Sequence, residues 1–281
     1  MTTLDLFQGG FCFYKLPVPP LVNSVYLDFN FKKMKKLAII GYGWLGKRLA
    51  DYFSDNYTIC TVNRSDCSES NYIHFTIDFD SDEEYQSNSD INNSDVIIIC
   101  LPFSQRTELE ILIHRFNNIE KYIGMYKGSV FLTGSTGIYP QEQKLIDETT
   151  YPDSELSSNM IYVENMIKKS FPQVNILRLG GLMGDNRQLK NYKISNPEQA
   201  VNHIHYYDVC RIIETIINNH ISSETFNIVT PQHPTKAEVI SIQNKQASKH
   251  ISETTQQRII SSEKSEKLLN FIYEKPDPRL F

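Results

Sequence analysis

No stretch of the 281-residue sequence approaches the roughly 18 consecutive apolar residues that a helix needs to cross a bilayer. A membrane-spanning helix is therefore not expected, nor a membrane partner. Basic excess is missing too. Lys and Arg number 28 against 33 Asp and Glu, a formal net charge of −5, which argues against nucleic acid as a partner. The small basic cluster Lys32, Lys33, Lys35 and Lys36 reads as the solvated entrance to a strand. Cysteine is scarce. Cys12, Cys60, Cys67, Cys100 and Cys210 are an odd number without CxxC spacing, which fits reduced structural thiols and a cytoplasmic location better than a disulfide framework. Residues 1–33 are rich in Phe, Tyr, Leu and Pro, but they lack the charged start and continuous apolar run of a secretory signal. Met34 is followed at once by KKLAIIGYG. It reads as the native start, or residues 1–33 as a poorly ordered extension.

What is present begins with that run. The apolar, strand-type residues 37–40 lead directly into GYGWLG at 41–46, and Leu45, Leu49 and Phe53 then recur on one face of a helix. Between a strand and a helix, such a glycine pattern suits a dinucleotide. Gly41 allows the tight turn, Gly43 lets the backbone approach a pyrophosphate, and Gly46 lets helix and strand pack closely. Trp44 and Leu45 would add N–H groups of the helix N-terminus, which favours phosphate.

Strand-type residues 57–62 end in Asn63, Arg64 and Ser65. A carboxylate at this point would bind the ribose hydroxyl of NAD, whereas an arginine accommodates the 2′-phosphate of NADP. Guanidinium and hydroxyl donors suit a phosphate, so NADP(H) is expected in preference to NAD(H). Further strands are predicted at 73–77, ending in Asp78, at 96–100, running into Leu101 and Pro102, at 130–133, and at 174–179. Helical periodicity covers 107–123 and 156–169, and residues 80–93 read as loop or short helix. Beyond residue 180 the pattern loosens. Asp208 reads as an N-cap for a helix over 209–217, residues 226–229 as a late strand and 236–249 as a helix. The alternation predicts an α/β fold, a Rossmann doubly wound parallel sheet with a small C-terminal substrate-binding cap. The expected division is 34–180 for the cofactor domain and 181–281 for the cap, with 201–230 returning to the core.

With these landmarks placed, the chain from Met34 resembles the extended short-chain dehydrogenase/reductases, in their atypical, NAD-dependent epimerase/dehydratase-like branch. The likeness is carried by GYGWLG, LTGSTGIYP (132–140), NILRLGGLMGDNR (175–187), NHIHYYDV (202–209) and SSEKSEKLLNFIYEKPDP (261–278). It implies that the glycine loop and Arg64 bind the pyrophosphate and 2′-phosphate, that Asp78 lies near the adenine, and that Leu101 and Pro102 line the adenosine side. It also implies that Ser135 meets the reacting oxygen, although Ser135 reads equally well as a turn residue. Thr136, Tyr139, Asn202 and His205 fall where a substrate would be held.

The family's Y-x-x-x-K, a tyrosine acid/base tuned by a lysine, is missing. Tyr162 is the tyrosine placed for the role, but Met166 stands four residues on. If Glu164 instead matches the glutamate that follows the lysine, Leu156 and Met160 take the two positions. Without a cationic neighbour Tyr162 reads as a packing residue sooner than as an acid. His203-x-His205 with Asp208 lacks a third ligand of recognisable spacing, so no metal is expected. GSTG at 134–137 is not the G-x-S-x-G of a hydrolase elbow. The sequence therefore leaves two expectations. One is an NADP(H)-dependent oxidoreductase or epimerase acting on a small hydroxyl- or carbonyl-bearing substrate, such as a nucleotide sugar. The other is an NADP(H)-binding protein without turnover that reports to a protein partner.

Overall fold

Apolar strands alternate with amphipathic helices, and the strands assemble into a seven-stranded parallel sheet. The computed structural model describes residues 34–67, 72–245 and 257–281, so the expectation for residues 1–33 lies outside the described residues. The strands in chain order are β1 (Lys35–Ile40), β2 (Tyr57–Asn63), β3 (Ile73–Thr76), β4 (Val96–Ile99), β5 (Ser129–Ser135) and β6 (Leu145–Ile146). They continue with β7 (Asn175–Leu179), β8 (Gly181–Met183), β9 (His203–His205), β10 (Thr225–Ile228) and β11 (Ile259–Ile260). The helices are α1 (Trp44–Phe53), α2 (Ser89–Asn92), α3 (Leu109–Ile123), α4 (Ser158–Ser170), α5 (Tyr206–Asn218), α6 (Lys236–Gln243) and α7 (Glu263–Leu269).

The main sheet runs β3-β2-β1-β4-β5-β7-β10, while β6 pairs with β11 and β8 with β9. Strand order reverses between β1 and β4, and ligands of open parallel sheets bind in the crevice that this reversal leaves at the carboxyl ends. Both faces are covered. On one, Leu112 and Phe116 of α3 pack with Val163 and Ile167 of α4. On the other, Leu49 and Phe53 of α1 pack with Ile212 and Ile216 of α5. Strand β4 is therefore apolar at all four positions, Val96 to Ile99, all buried. Each such side chain contributes about 1.5–3 kcal/mol on leaving water.

Two expectations are corrected by contacts distant in sequence. Strand β5 continues past Thr133, because Gly134 and Ser135 pair with Arg178 and Leu179 of β7. Asp208 does not cap α5. The helix starts earlier and is capped by His205, which accepts the Tyr207 N–H at 3.2 Å. Asp208 is buried and accepts the backbone N–H groups of Glu274 at 3.0 Å and Lys275 at 2.9 Å, pinning the C-terminal segment.

A buried ion pair joins α4 to the sheet. Arg178 donates to both Glu164 oxygens, at 3.1 and 2.7 Å, and to the Tyr139 hydroxyl at 2.8 Å. That hydroxyl donates in turn to Asn227 Oδ1 at 2.7 Å. Burial opposes the charge on Arg178, but the Glu164 carboxylate outweighs it and keeps the guanidinium protonated. Removing one partner strands the other charge in the core. Glu164→Ala is expected to lower unfolding free energy by about 3 kcal/mol or more, read from the urea midpoint, and Glu164→Leu with Arg178→Met to recover much of that loss.

Candidate functional site

The glycine loop fills the crevice between β1 and β4. Gly41 has φ 108° and donates its N–H to Val62 at 2.8 Å, and a side chain there would meet the Cys100 carbonyl carbon at 2.9 Å. Gly46 sits tighter still, because an added Cβ would lie 2.1 Å from the Gly41 carbonyl oxygen. That close approach brings α1 down onto β1. Gly43 faces open space, no side chain caps α1, and its first turn carries no acidic residue. The leading N–H groups are thus uncapped beside an unobstructed backbone, an arrangement that fits a pyrophosphate. Leu45 is buried in the core and offers only its backbone. The Trp44 ring instead lies against Arg48 and Arg187, 3.7 and 4.2 Å from their guanidinium carbons.

Beyond β2, β3 and β4 lies a cavity of about 240 Å³, which brings together Asn63, Arg64, Asp78, Leu101 and Pro102. Sequence reasoning missed other walls, among them Phe79, Asp80 and Arg115. Arg115 reaches across from α3, donating to Asp80 at 2.7 and 2.8 Å and to the Pro102 carbonyl at 3.0 Å. Those bonds hold the Asp80 carboxyl below its ordinary pKa. Nothing local in the sequence marks Arg115, because its partner is 35 residues away. Arg64 is exposed and makes no hydrogen bond or ion pair among the described residues, so its donors are available. Ser65 is exposed next to it, its carbonyl 3.3 Å from His74 Nε2.

On the other side of the crevice, Ser135 ends β5. Its Oγ accepts the Gly137 N–H at 3.1 Å, which leaves the hydroxyl proton free to donate. Its neighbours are otherwise engaged. Thr136 is buried, and its carbonyl accepts from Arg258 at 2.8 Å. Tyr139 is 2% exposed and tied into the Arg178–Asn227 network, where burial raises its pKa against the opposing pull of Arg178. Asn202 bridges the backbone of Arg258 and Ile260, at 3.0 and 2.8 Å. His205 caps α5 and stacks on Tyr206. Tyr139, Asn202 and His205, expected to contact a substrate, thus each make structural contacts of their own.

Tyr162, expected as a packing residue sooner than an acid, is not packed in the core. It is 44% exposed on the outer side of α4, in a groove shared with Ile113 and Asn117 of α3. The inner side of α4 presents Met160 and Glu164, and Glu164 pairs with β7. Of the two alignments the sequence allowed, this geometry favours the one that puts buried Leu156 and Met160 at the tyrosine and lysine positions. Among the described residues no group of three or more His, Cys, Asp and Glu is placed to hold a metal.

No protein-family model matches the chain. Protein YeeZ of Escherichia coli (strain K12) is 24% identical over 273 residues, covering 87% of this chain and 98% of that protein. Human epimerase family protein SDR39U1 (isoform 2), solved with NADPH, superposes with a TM-score of 0.65 at 13% identity, covering 86% of this chain and 96% of that one. UDP-N-acetylglucosamine 4-epimerase from Bacillus cereus superposes with a TM-score of 0.63 at 16% identity, over 85% and 94% of the two chains. The chain shares the fold of these two epimerase structures. On this scaffold the glycine loop, Arg64 and Ser135 stand at the carboxyl ends of β1, β2 and β5 of the one parallel sheet. Among the described residues no helix is long and apolar enough to cross a membrane.

His203, on β9, supplies a pH probe for this region. Burial, with help from Lys236, pushes its pKa down from 6.5 to about 4, and its Nδ1 is buried without a partner. A histidine with a depressed folded pKa contributes full stability above its unfolded pKa and loses it as pH falls toward the folded value. The urea midpoint is therefore expected to fall between pH 6.5 and 4, and to fall less in His203→Asn.

Proposed function

We propose that the protein is an NADP(H)-dependent oxidoreductase or epimerase acting on a small hydroxyl- or carbonyl-bearing substrate, with a nucleotide sugar as one candidate. The observation that carries the reading is the unpaired Arg64 beside a nucleobase-sized cavity, in line with an uncapped glycine-loop helix. Asp78, Leu101 and Pro102 would hold the adenosine half, and the α1 N-terminus the pyrophosphate. A bound nicotinamide would supply hydride-transfer chemistry. Ser135 would donate its free hydroxyl proton to the substrate oxygen. With Tyr162 turned outward and His205 engaged in the α5 cap, water reaching Ser135 would supply protons. The free thiols Cys60, Cys67, Cys100 and Cys210 suit the proposed cytoplasmic setting.

A second reading, an NADP(H)-binding protein without turnover, is favoured by one observation. In the α4 turns that face the sheet, Met160 is apolar and Glu164 is bound to Arg178, so on the Glu164 alignment, which puts Leu156 and Met160 at the tyrosine and lysine positions, no tuned acid/base would face Ser135.

Trp44 is the only tryptophan in the sequence and lies in the glycine loop, so energy transfer from it to NADPH reports binding directly. NADPH is expected to bind more tightly than NADH. A charge-assisted contact is worth about 2 kcal/mol, so Arg64→Ala should weaken NADPH by ~30-fold and leave NADH nearly unchanged. Absence of binding by either cofactor would overturn both readings. Turnover with sugar-nucleotide and carbonyl substrates then separates them, and Tyr162→Phe is expected to leave any such rate within about twofold, since on this reading the outward-facing Tyr162 takes no part in proton transfer.

A further inference from the structure

One guanidinium beside the glycine loop has no counter-charge. Arg48 and Arg187 both lie over the indole of Trp44, at 3.7 and 4.2 Å from its centroid. Two guanidiniums that close to one ring would overlap on a single face, so they hold the indole between them. Arg48 is neutralised. It donates to Asp185 Oδ2 at 2.9 and 2.5 Å and to the Trp44 carbonyl at 2.7 Å. The other Asp185 oxygen accepts from Tyr206 at 3.2 Å. Arg187 makes no side-chain hydrogen bond or ion pair among the described residues, and its guanidinium stacks on Trp44.

The loop that carries Arg187 is built to hold it there. Arg187 and Gly184 exchange backbone hydrogen bonds at 2.9 and 3.1 Å. Gly184 has φ 125°, and a Cβ there would meet Tyr206 at 2.6 Å and His205 at 2.7 Å. Tyr206 in turn packs edge-on against Trp44, with centroids 5.6 Å apart. The indole Nε1 is buried and has no acceptor. An uncompensated planar cation and an unsatisfied donor therefore stand together one residue after Gly43, where the backbone is open. A guanidinium held flat by an aromatic ring keeps its N–H fork free for a phosphate edge.

We propose that Arg187 is a phosphate-binding residue of the dinucleotide cleft, carried to the pyrophosphate by its stack on Trp44. The assignment rests on the dinucleotide reading above and adds a contact from outside the glycine loop. It distinguishes Arg187, which would act on the pyrophosphate, from Arg64, which would act on the 2′-phosphate.

The experiment titrates wild type, Arg187→Ala, Arg187→Lys and Arg64→Ala with NADPH and with adenosine 2′-monophosphate, which carries no pyrophosphate. Calorimetry reads both ligands, and Trp44 emission reads the site. Arg187→Ala is expected to weaken NADPH about tenfold or more while leaving the monophosphate unchanged, whereas Arg64→Ala weakens both. Arg187→Lys, which keeps the charge but not the flat stack, should fall between. Trp44 emission should shift on adding NADP+ to wild type and shift less in Arg187→Ala. Unchanged circular dichroism and urea midpoints separate these losses from misfolding, and Arg187→Lys serves where the alanine variant is unstable. Unchanged NADPH affinity in Arg187→Ala, or equal loss for both ligands, overturns the assignment and leaves the dinucleotide reading intact. Failure of wild type to bind NADPH overturns both.

Discussion

The structure depends on a contact with no side chain in it. Gly46 packs on the Gly41 carbonyl at a distance that a Cβ would reduce to 2.1 Å. That contact seats α1 directly on β1 and aims its uncapped N-terminus into the crevice left by the reversal of strand order. From there the rest follows by packing. Helix α1 buries Leu49 and Phe53 against the sheet beside α5, and the ends of β2, β3 and β4 are left to form a cavity next to the loop. A methyl group at either glycine would lift the helix or distort the turn, and the open approach to the Gly43 backbone would be lost with it.

The opposite half of the crevice is organised by charge burial. Glu164 and Arg178 are almost wholly withdrawn from water, and they persist there because each satisfies the other and Tyr139 accepts the remaining guanidinium donor. The network fixes α4 in rotation. Met160 and Glu164 turn inward, and Tyr162 turns to the surface. Ser135 is left with a hydroxyl proton that no acceptor takes among the described residues. The same fold can thus keep its glycine turn while changing what stands across from it.

Much of the fold was legible because its signals are local. A glycine turn between a β-type run and a 3.6-residue apolar period needs only about twenty residues to be seen, and Arg64 is marked by where β2 ends. The residues beyond β5 were harder to place. Asp208 looks like a cap until Glu274 and Lys275 are folded against it. Asn202 and His205 look available until β11, Tyr206 and Phe281 close on them. Tyr162 and Leu156 compete for one position in sequence, and only the Glu164–Arg178 bond gives a reason to choose.

By itself the sequence determined the strand and helix alternation, the turn at Gly41 and the chemical character of the β2 terminus, since each rests on backbone sterics or on periodicity within one element. Tertiary structure decided which polar side chains are free. Arg187 is unpaired because Asp185 is taken by Arg48, and Arg115 lines the cavity because Asp80 and Pro102 lie within its reach. Pairing of that kind is a competition between groups distant in the chain, and it has no outcome until they are packed together.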